Sequence, residues 1–196
     1  MDEKLLLAIN QGWANPGFDV FFAWLSQTVY FSLPVLLLVL GFLFRRFGRD
    51  GIKFWLVVVL TVAVGDHLGT LLKQLIAQPR PCSELGAAVR QLTTMFSAHC
   101  GRHGMPSNHA LNFFLFTTFS GFVLPWRLWR VGFALLALLV ALSRVYLGVH
   151  YPSQVLAGAL LGVALGLVAG WAGLRYLACL RRVRAAAGEE ETKVKL

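Results

Sequence analysis

The chain has 196 residues, 57% of them hydrophobic and 14% charged, with a formal net charge of +9. A mean hydropathy of +0.66 lies outside the range of ordinary soluble domains and puts the chain in the membrane class. The positive charge falls in the gaps between apolar runs and forms no continuous stripe, which argues against nucleic acid as a partner.

In chain order, Met1–Asn15 comes first and is amphipathic, with Leu5, Leu6, Ile9 and Trp13 able to share one helical face. The pattern predicts a helix lying along the membrane interface with Trp13 at headgroup depth. The start Met1-Asp2-Glu3-Lys4, with few apolar residues after it, does not read as a signal peptide. Five apolar runs follow, roughly Phe18–Phe44, Phe54–Ala77, Ser107–Leu124, Val131–Val149 and Ser153–Leu180. Each is long enough, or nearly so, for a bilayer core, which needs about 20 residues. In the last run Gly158, Gly162, Gly166 and Gly170 form a ladder suited to close helix packing, inside the bundle or at a dimer contact. The predicted fold is all-α: a membrane bundle of about five transmembrane helices plus an amino-terminal interfacial helix. A single domain over 1–180 is expected, followed by a charged, solvated tail over 181–196.

Basic residues near the span ends set the expected orientation. Arg45, Arg46, Arg49 and Lys53, then Arg127 and Arg130, then Arg175, Arg181, Arg182 and Arg184 fall on one side. That side reads as cytoplasmic, with the amino terminus outside. The loop Gln78–Pro106, the start of the third span and the turn at His150 then face outward, and every unusual polar residue is expected there or just inside the membrane below.

Those residues form a chemically coherent set. Lys73 lies near the outer end of the second span, and Arg80 follows between Pro79 and Pro81, where a helix must stop. Ser107 stands as the N-cap of the next span, with Asn108 and His109 in its first turn. A helix start offers free N–H groups and a positive dipole end, which suits a phosphate. Ser143-Arg144 closes the fourth span and His150 follows before Pro152. Three fixed cations, a hydroxyl at a helix start and two histidines supply what phosphoryl transfer needs: charge stabilisation, a nucleophile and an acid. No metal or other cofactor is expected, because only Asp66 and Glu84 among the acidic residues fall near this face. Asp66, seven residues before Lys73 on the same helical face, is a supporting candidate expected to pair with Lys73 or Arg144.

Lys73-(six residues)-Arg80-Pro81, Pro106-Ser107-Asn108-His109 and Ser143-Arg144-(five residues)-His150 resemble, in order, the three signature motifs of the type 2 phosphatidic acid phosphatase superfamily. The resemblance implies that His150 forms a phosphohistidine and that His109 protonates the leaving oxygen. It further implies that Lys73, Arg80, Ser107, the backbone at Asn108 and Arg144 cradle the phosphate. The likeness is to the small bacterial branch acting on undecaprenyl diphosphate, phosphatidylglycerophosphate or lipid A. The expected partner is therefore a phosphorylated membrane lipid, and the expected place the bacterial inner membrane with the site facing the periplasm or exterior.

One position departs from the motif. An Asp is expected four residues after the histidine, and Gln154 stands there. Its amide oxygen can still accept the imidazole N–H and fix the tautomer, but it brings no charge. A slower or differently tuned enzyme is expected. A lipid phosphotransferase using the same phosphohistidine, or a weakly active lipid-phosphate-binding homologue, are the alternative readings. In the outer loop a Cys82–Cys100 disulfide is expected in preference to a zinc site at His99-Cys100-x-x-His103, which lacks a fourth ligand.

Overall fold

The computed structural model describes residues 1–27, 29–90, 92, 100–123 and 127–194, with side chains described except at 29, 31, 123, 177 and 180–194. Helices account for nearly all of it: α1 (Asp2–Asn10), α2 (Pro16–Ser26), α3 (Val29–Phe47), α4 (Arg49–Ile76), the one-turn α5 (Pro81–Glu84), α6 (Asn108–Val123), α7 (Arg127–Tyr146) and α8 (Pro152–Val194). Among the described residues α4, α7 and Pro152–Tyr176 of α8 are long and apolar enough to cross a bilayer. With α3 and α6 they make a five-helix bundle. Leu33, Leu37, Leu60, Leu135 and Leu160 are exposed on its outer faces, as lipid-facing residues would be.

Two sequence expectations are corrected. The run Phe18–Phe44 is two helices, because the chain leaves helical geometry at Gln27 (φ −83°, ψ 67°). The start of α2 is set locally: Pro16 occupies the first turn and Asn15 Oδ1 accepts the Phe18 N–H at 2.9 Å. The amino-terminal helix is also shorter, and only part of the expected face, Leu6 and Ile9, packs on the core. Leu6 and Asn10 are fully buried while Leu5 and Trp13 are exposed. Leu6 packs with Val89, Ala110, Val145 and Tyr151, and Asn10 donates to the carbonyls of Arg90 and Tyr146 at 3.0 and 2.7 Å. The tertiary hydrogen bonds of Asn10 thus turn the buried face so that it keeps Leu6 and Ile9 and leaves Leu5 and Trp13 outside. At the other end, α8 runs on as helix through the expected tail to Val194.

The glycine ladder belongs to the bundle interior. A Cβ at Gly158 would stand 2.4 Å from the Ser107 carbonyl oxygen, and one at Gly162 would stand 2.3 Å from that of Leu111. Without side chains at these positions, α8 lies directly against the backbone of α6. That contact fixes the start of α6 beside the start of α8. We expect Gly158→Ala to force the two apart, costing about 1–3 kcal/mol and lowering kcat/KM, as read by melting in detergent and by phosphate release.

Candidate active site

The end of α4, the start of α6, the end of α7 and the start of α8 meet at one end of the bundle, away from the basic joins at Arg45–Lys53 and Arg127–Arg130. Each element is punctuated there by its own sequence. Helix α4 stops at Ala77, which adopts the left-handed conformation (φ 52°) just before Pro79. Helix α6 starts after Ser107, whose carbonyl accepts the Leu111 N–H at 2.9 Å. Between α7 and α8, Gly148 takes φ +72°, a conformation open to glycine, and Pro152 begins α8.

A cleft of about 360 Å³ opens at this end, and Lys73, Arg80, Asn108, His109, Arg144, His150 and Asp66 all line it. Ser107 and Gln154 lie buried beside it, joined by a 3.0 Å bond from the Ser107 N–H to the Gln154 carbonyl. The Ser107 Oγ and the Arg144 Nε are buried polar atoms without a partner in the protein. Unpaired donors of this kind suit an oxyanion, since burial without a bond costs about 1–3 kcal/mol.

Gln154 fixes the state of His150. Its Oε1 lies 3.1 Å from His150 Nδ1 and accepts the Tyr151 N–H at 3.3 Å, while its Nε2 donates to the Pro79 carbonyl at 2.8 Å. With Nε2 so committed, the Oε1 must be the atom facing the imidazole. The proton then sits on Nδ1, and Nε2 carries the free lone pair. Burial, followed by the positive charges of Arg144 and Arg80, holds the His150 pKa well below its ordinary 6.5. A neutral, nucleophilic imidazole is therefore the stable form at neutral pH.

That shift has a consequence for stability. Below pH 6.5 the unfolded chain takes up a proton at this position that the folded chain refuses, so stability declines as pH falls through this range. We expect the melting temperature in detergent to drop on acidification below 6.5, and His150→Gln to flatten that part of the profile.

Arg80 is aimed by the loop that follows it. Its Nε donates to the His103 carbonyl at 3.0 Å, and the Gly104 N–H donates to the Gln78 carbonyl at 2.8 Å. Cys82 and Cys100 are joined by a disulfide, which ties the two ends of this loop together beside Arg80. Of the alternative metal cluster, His99 lies outside the described residues and Cys100 is already bonded. Closing a loop of this size contributes about 3 kcal/mol. We expect a Cys82→Ser, Cys100→Ser double variant to melt lower and to show a raised KM, because the segment at His103 that holds Arg80 loses its anchor.

Asp66 has partners other than those expected. Its Oδ1 accepts from Asn108 Nδ2 at 3.0 Å and Asn112 Nδ2 at 2.8 Å, and no ion pair joins it to Lys73 or Arg144 among the described residues. The carboxylate thus ties α4 to the first turn and a half of α6, and Lys73 keeps its charge free for the cleft. The Asn108 Nδ2 donors are occupied by this link, which leaves its backbone N–H for any anion.

Sequence reasoning missed Ser26 and Asn112. Ser26 is buried, its hydroxyl accepts from Arg144 Nη1 and its carbonyl faces the His109 ring. The polar run Ser26-Gln27-Thr28 inside an apolar stretch was the available sign. Asn112 sits one turn beyond Asn108, on the face turned to Asp66.

A family model described as the PAP2 superfamily matches residues 52–176. The chain belongs to the PAP2 superfamily. Lipid phosphate phosphatase gamma of Arabidopsis thaliana is 34% identical over 164 residues, covering 77% of this chain and 64% of its own length. The lipid A 4'-phosphatase of Bacteroides thetaiotaomicron is 27% identical, covering 83% of this chain and 72% of its own length. The crystal structure of Aquifex aeolicus LpxE matches with a TM-score of 0.68 at 28% identity, over 86% of this chain and 93% of that one. The chain thus spans just under two thirds of the plant PAP2 relative and most of the bacterial ones. It is a multi-pass membrane protein of the PAP2 phosphatase class.

Proposed function

We propose that this protein removes a phosphate from a membrane lipid through a phosphohistidine, at a site facing the periplasm or exterior of a bacterial inner membrane. The observation that carries the reading is the convergence of Lys73, Arg80, His109, Arg144 and His150 on one cleft, with His150 held neutral and correctly tautomeric. In the first step His150 Nε2 attacks phosphorus, the bond to the lipid oxygen breaks, and His109 protonates that oxygen. In the second, water attacks the phosphohistidine while His109 takes its proton, and phosphate leaves. Lys73, Arg80 and Arg144 with the Ser107 hydroxyl neutralise the equatorial oxygens. With three cations at the cleft, charge neutralisation falls to side chains, which supports a mechanism without metal.

The lipid assignment is supported by what adjoins the cleft. An apolar groove of about 250 Å³, lined by Val35, Leu36, Val62, Phe116, Phe133 and Leu136, shares Asn112 and Phe113 with it. A headgroup in the cleft could therefore leave its chain in hydrocarbon. The orientation rests on the basic joins at the opposite end of the bundle and on the disulfide, which belongs to an oxidising side. Among the relatives, lipid A phosphatases and a lipid phosphate phosphatase bring two substrate classes to test. Phosphate release from purified lipid A, phosphatidylglycerophosphate, phosphatidic acid and undecaprenyl diphosphate, with and without an acceptor lipid, decides substrate and acceptor together. Failure on every lipid phosphate would sink the proposal, and phosphate recovered on the acceptor would make the protein a transferase.

A further inference from the structure

Helix α2 ends on Ser26, inside a stretch whose apolar pattern would carry a helix straight on. The Tyr30 N–H, four residues later, goes to the Gln27 carbonyl at 3.1 Å. The Tyr30 N–H is thereby turned away from the Ser26 carbonyl, which faces the His109 imidazole instead. On the same residue the hydroxyl accepts from Arg144 Nη1. Packing brings the residue there: Phe22, Ala23 and Leu25 of α2 are buried with Val140 and Tyr146 of α7, the helix that carries Arg144.

Arg144 is only 6% exposed, and among the described residues no carboxylate pairs with it. A buried guanidinium needs acceptors, and their charge decides what it can still do. A carboxylate would hold it firmly but cancel the charge that a phosphate requires. A hydroxyl holds one Nη and leaves the positive charge whole, with Nε unpaired. The same logic applies at His109, which faces a neutral carbonyl and no carboxylate among the described residues.

We propose that Ser26 is a positioning residue of this site, its hydroxyl aiming the Arg144 guanidinium at the substrate phosphate from the break between α2 and α3. The inference rests on the phosphatase reading, but it can be tested without turnover. Ser26→Ala removes the hydroxyl and leaves the carbonyl. KM should rise about 10-fold, the cost of a hydrogen bond to a charged group, with a smaller fall in kcat. The melting-temperature increase given by orthovanadate should shrink in parallel. Ser26→Thr, which returns the hydroxyl, should recover most of both losses. In an Arg144→Ala background, Ser26→Ala should leave the residual orthovanadate response unchanged, since the group it aims is gone.

A wild-type KM and orthovanadate response in Ser26→Ala would overturn the inference. So would independent, additive losses in the double variant, or a loss that Ser26→Thr does not recover. If the unaltered protein responds to orthovanadate yet hydrolyses no lipid phosphate, the functional reading fails, and the binding comparison still decides the role of Ser26.

Discussion

Replacing His150 by alanine should abolish phosphate release, with kcat falling by about four to six orders of magnitude, as for removal of other covalent nucleophiles. The physical reason is that no other group in the cleft can take its place. His109 lies in the first turn of α6 facing the Ser26 carbonyl, the Asp66 carboxylate is held by Asn108 and Asn112, and the other polar side chains lining the cleft are cations or amides. Because Lys73, Arg80 and Arg144 are untouched, lipid-phosphate binding should persist, and the orthovanadate response should fall far less than turnover. In the unaltered protein, rapid quenching at alkaline pH should recover an acid-labile phosphoryl group on the peptide containing His150. Activity within tenfold of the original in His150→Ala would refute the mechanism. Phosphoryl label on another residue would relocate the nucleophile.

The second large effect concerns Gln154, which is fully buried and bonds both His150 and the Pro79 carbonyl. Gln154→Leu removes the acceptor from Nδ1 and the donor from Pro79 in one change. The imidazole then loses its preferred tautomer, and a loss of about 10²- to 10⁴-fold in kcat is expected by comparison with the tautomer-fixing carboxylate of serine proteases. Gln154→Asp is the more informative variant, because the structure gives Gln154 a task the sequence did not disclose. An aspartate would supply the charge that stabilises a cationic phosphohistidine, so kcat should rise. It cannot donate to Pro79, the residue next to Arg80, so KM should rise as well. A fall in kcat for Gln154→Asp would mean that the glutamine is not a weakened stand-in for a carboxylate.

Much of this was legible before any coordinates. Apolar runs, Pro79 and Pro81 around Arg80, and Pro152 after His150 are local signals, and local signals survive folding because they act through the backbone of their own segment. The break in the first span was not legible. The polar triplet Ser26-Gln27-Thr28 marks the place, but without a proline or glycine it does not say that the helix stops there. The partner of Asp66 was misjudged for a related reason. Charge alone suggested Lys73 or Arg144, whereas the carboxylate lies within reach of two amides on α6 that a helix-face argument confined to α4 could not see.

By itself, then, the sequence determined the membrane class and the helical frame and singled out the side chains proposed for phosphate chemistry, since hydropathy and side-chain type are properties of residues. Only the tertiary structure decided how those side chains are held. Ser26 against Arg144 and His109, Gln154 between His150 and Pro79, and Asp66 across to α6 are contacts between segments far apart in the chain. Their geometry depends on how closely α8 lies on α6 and where α2 ends. The glycine ladder that opened two possibilities in the sequence became one in three dimensions, because only the packed bundle sets the Gly158 backbone against Ser107.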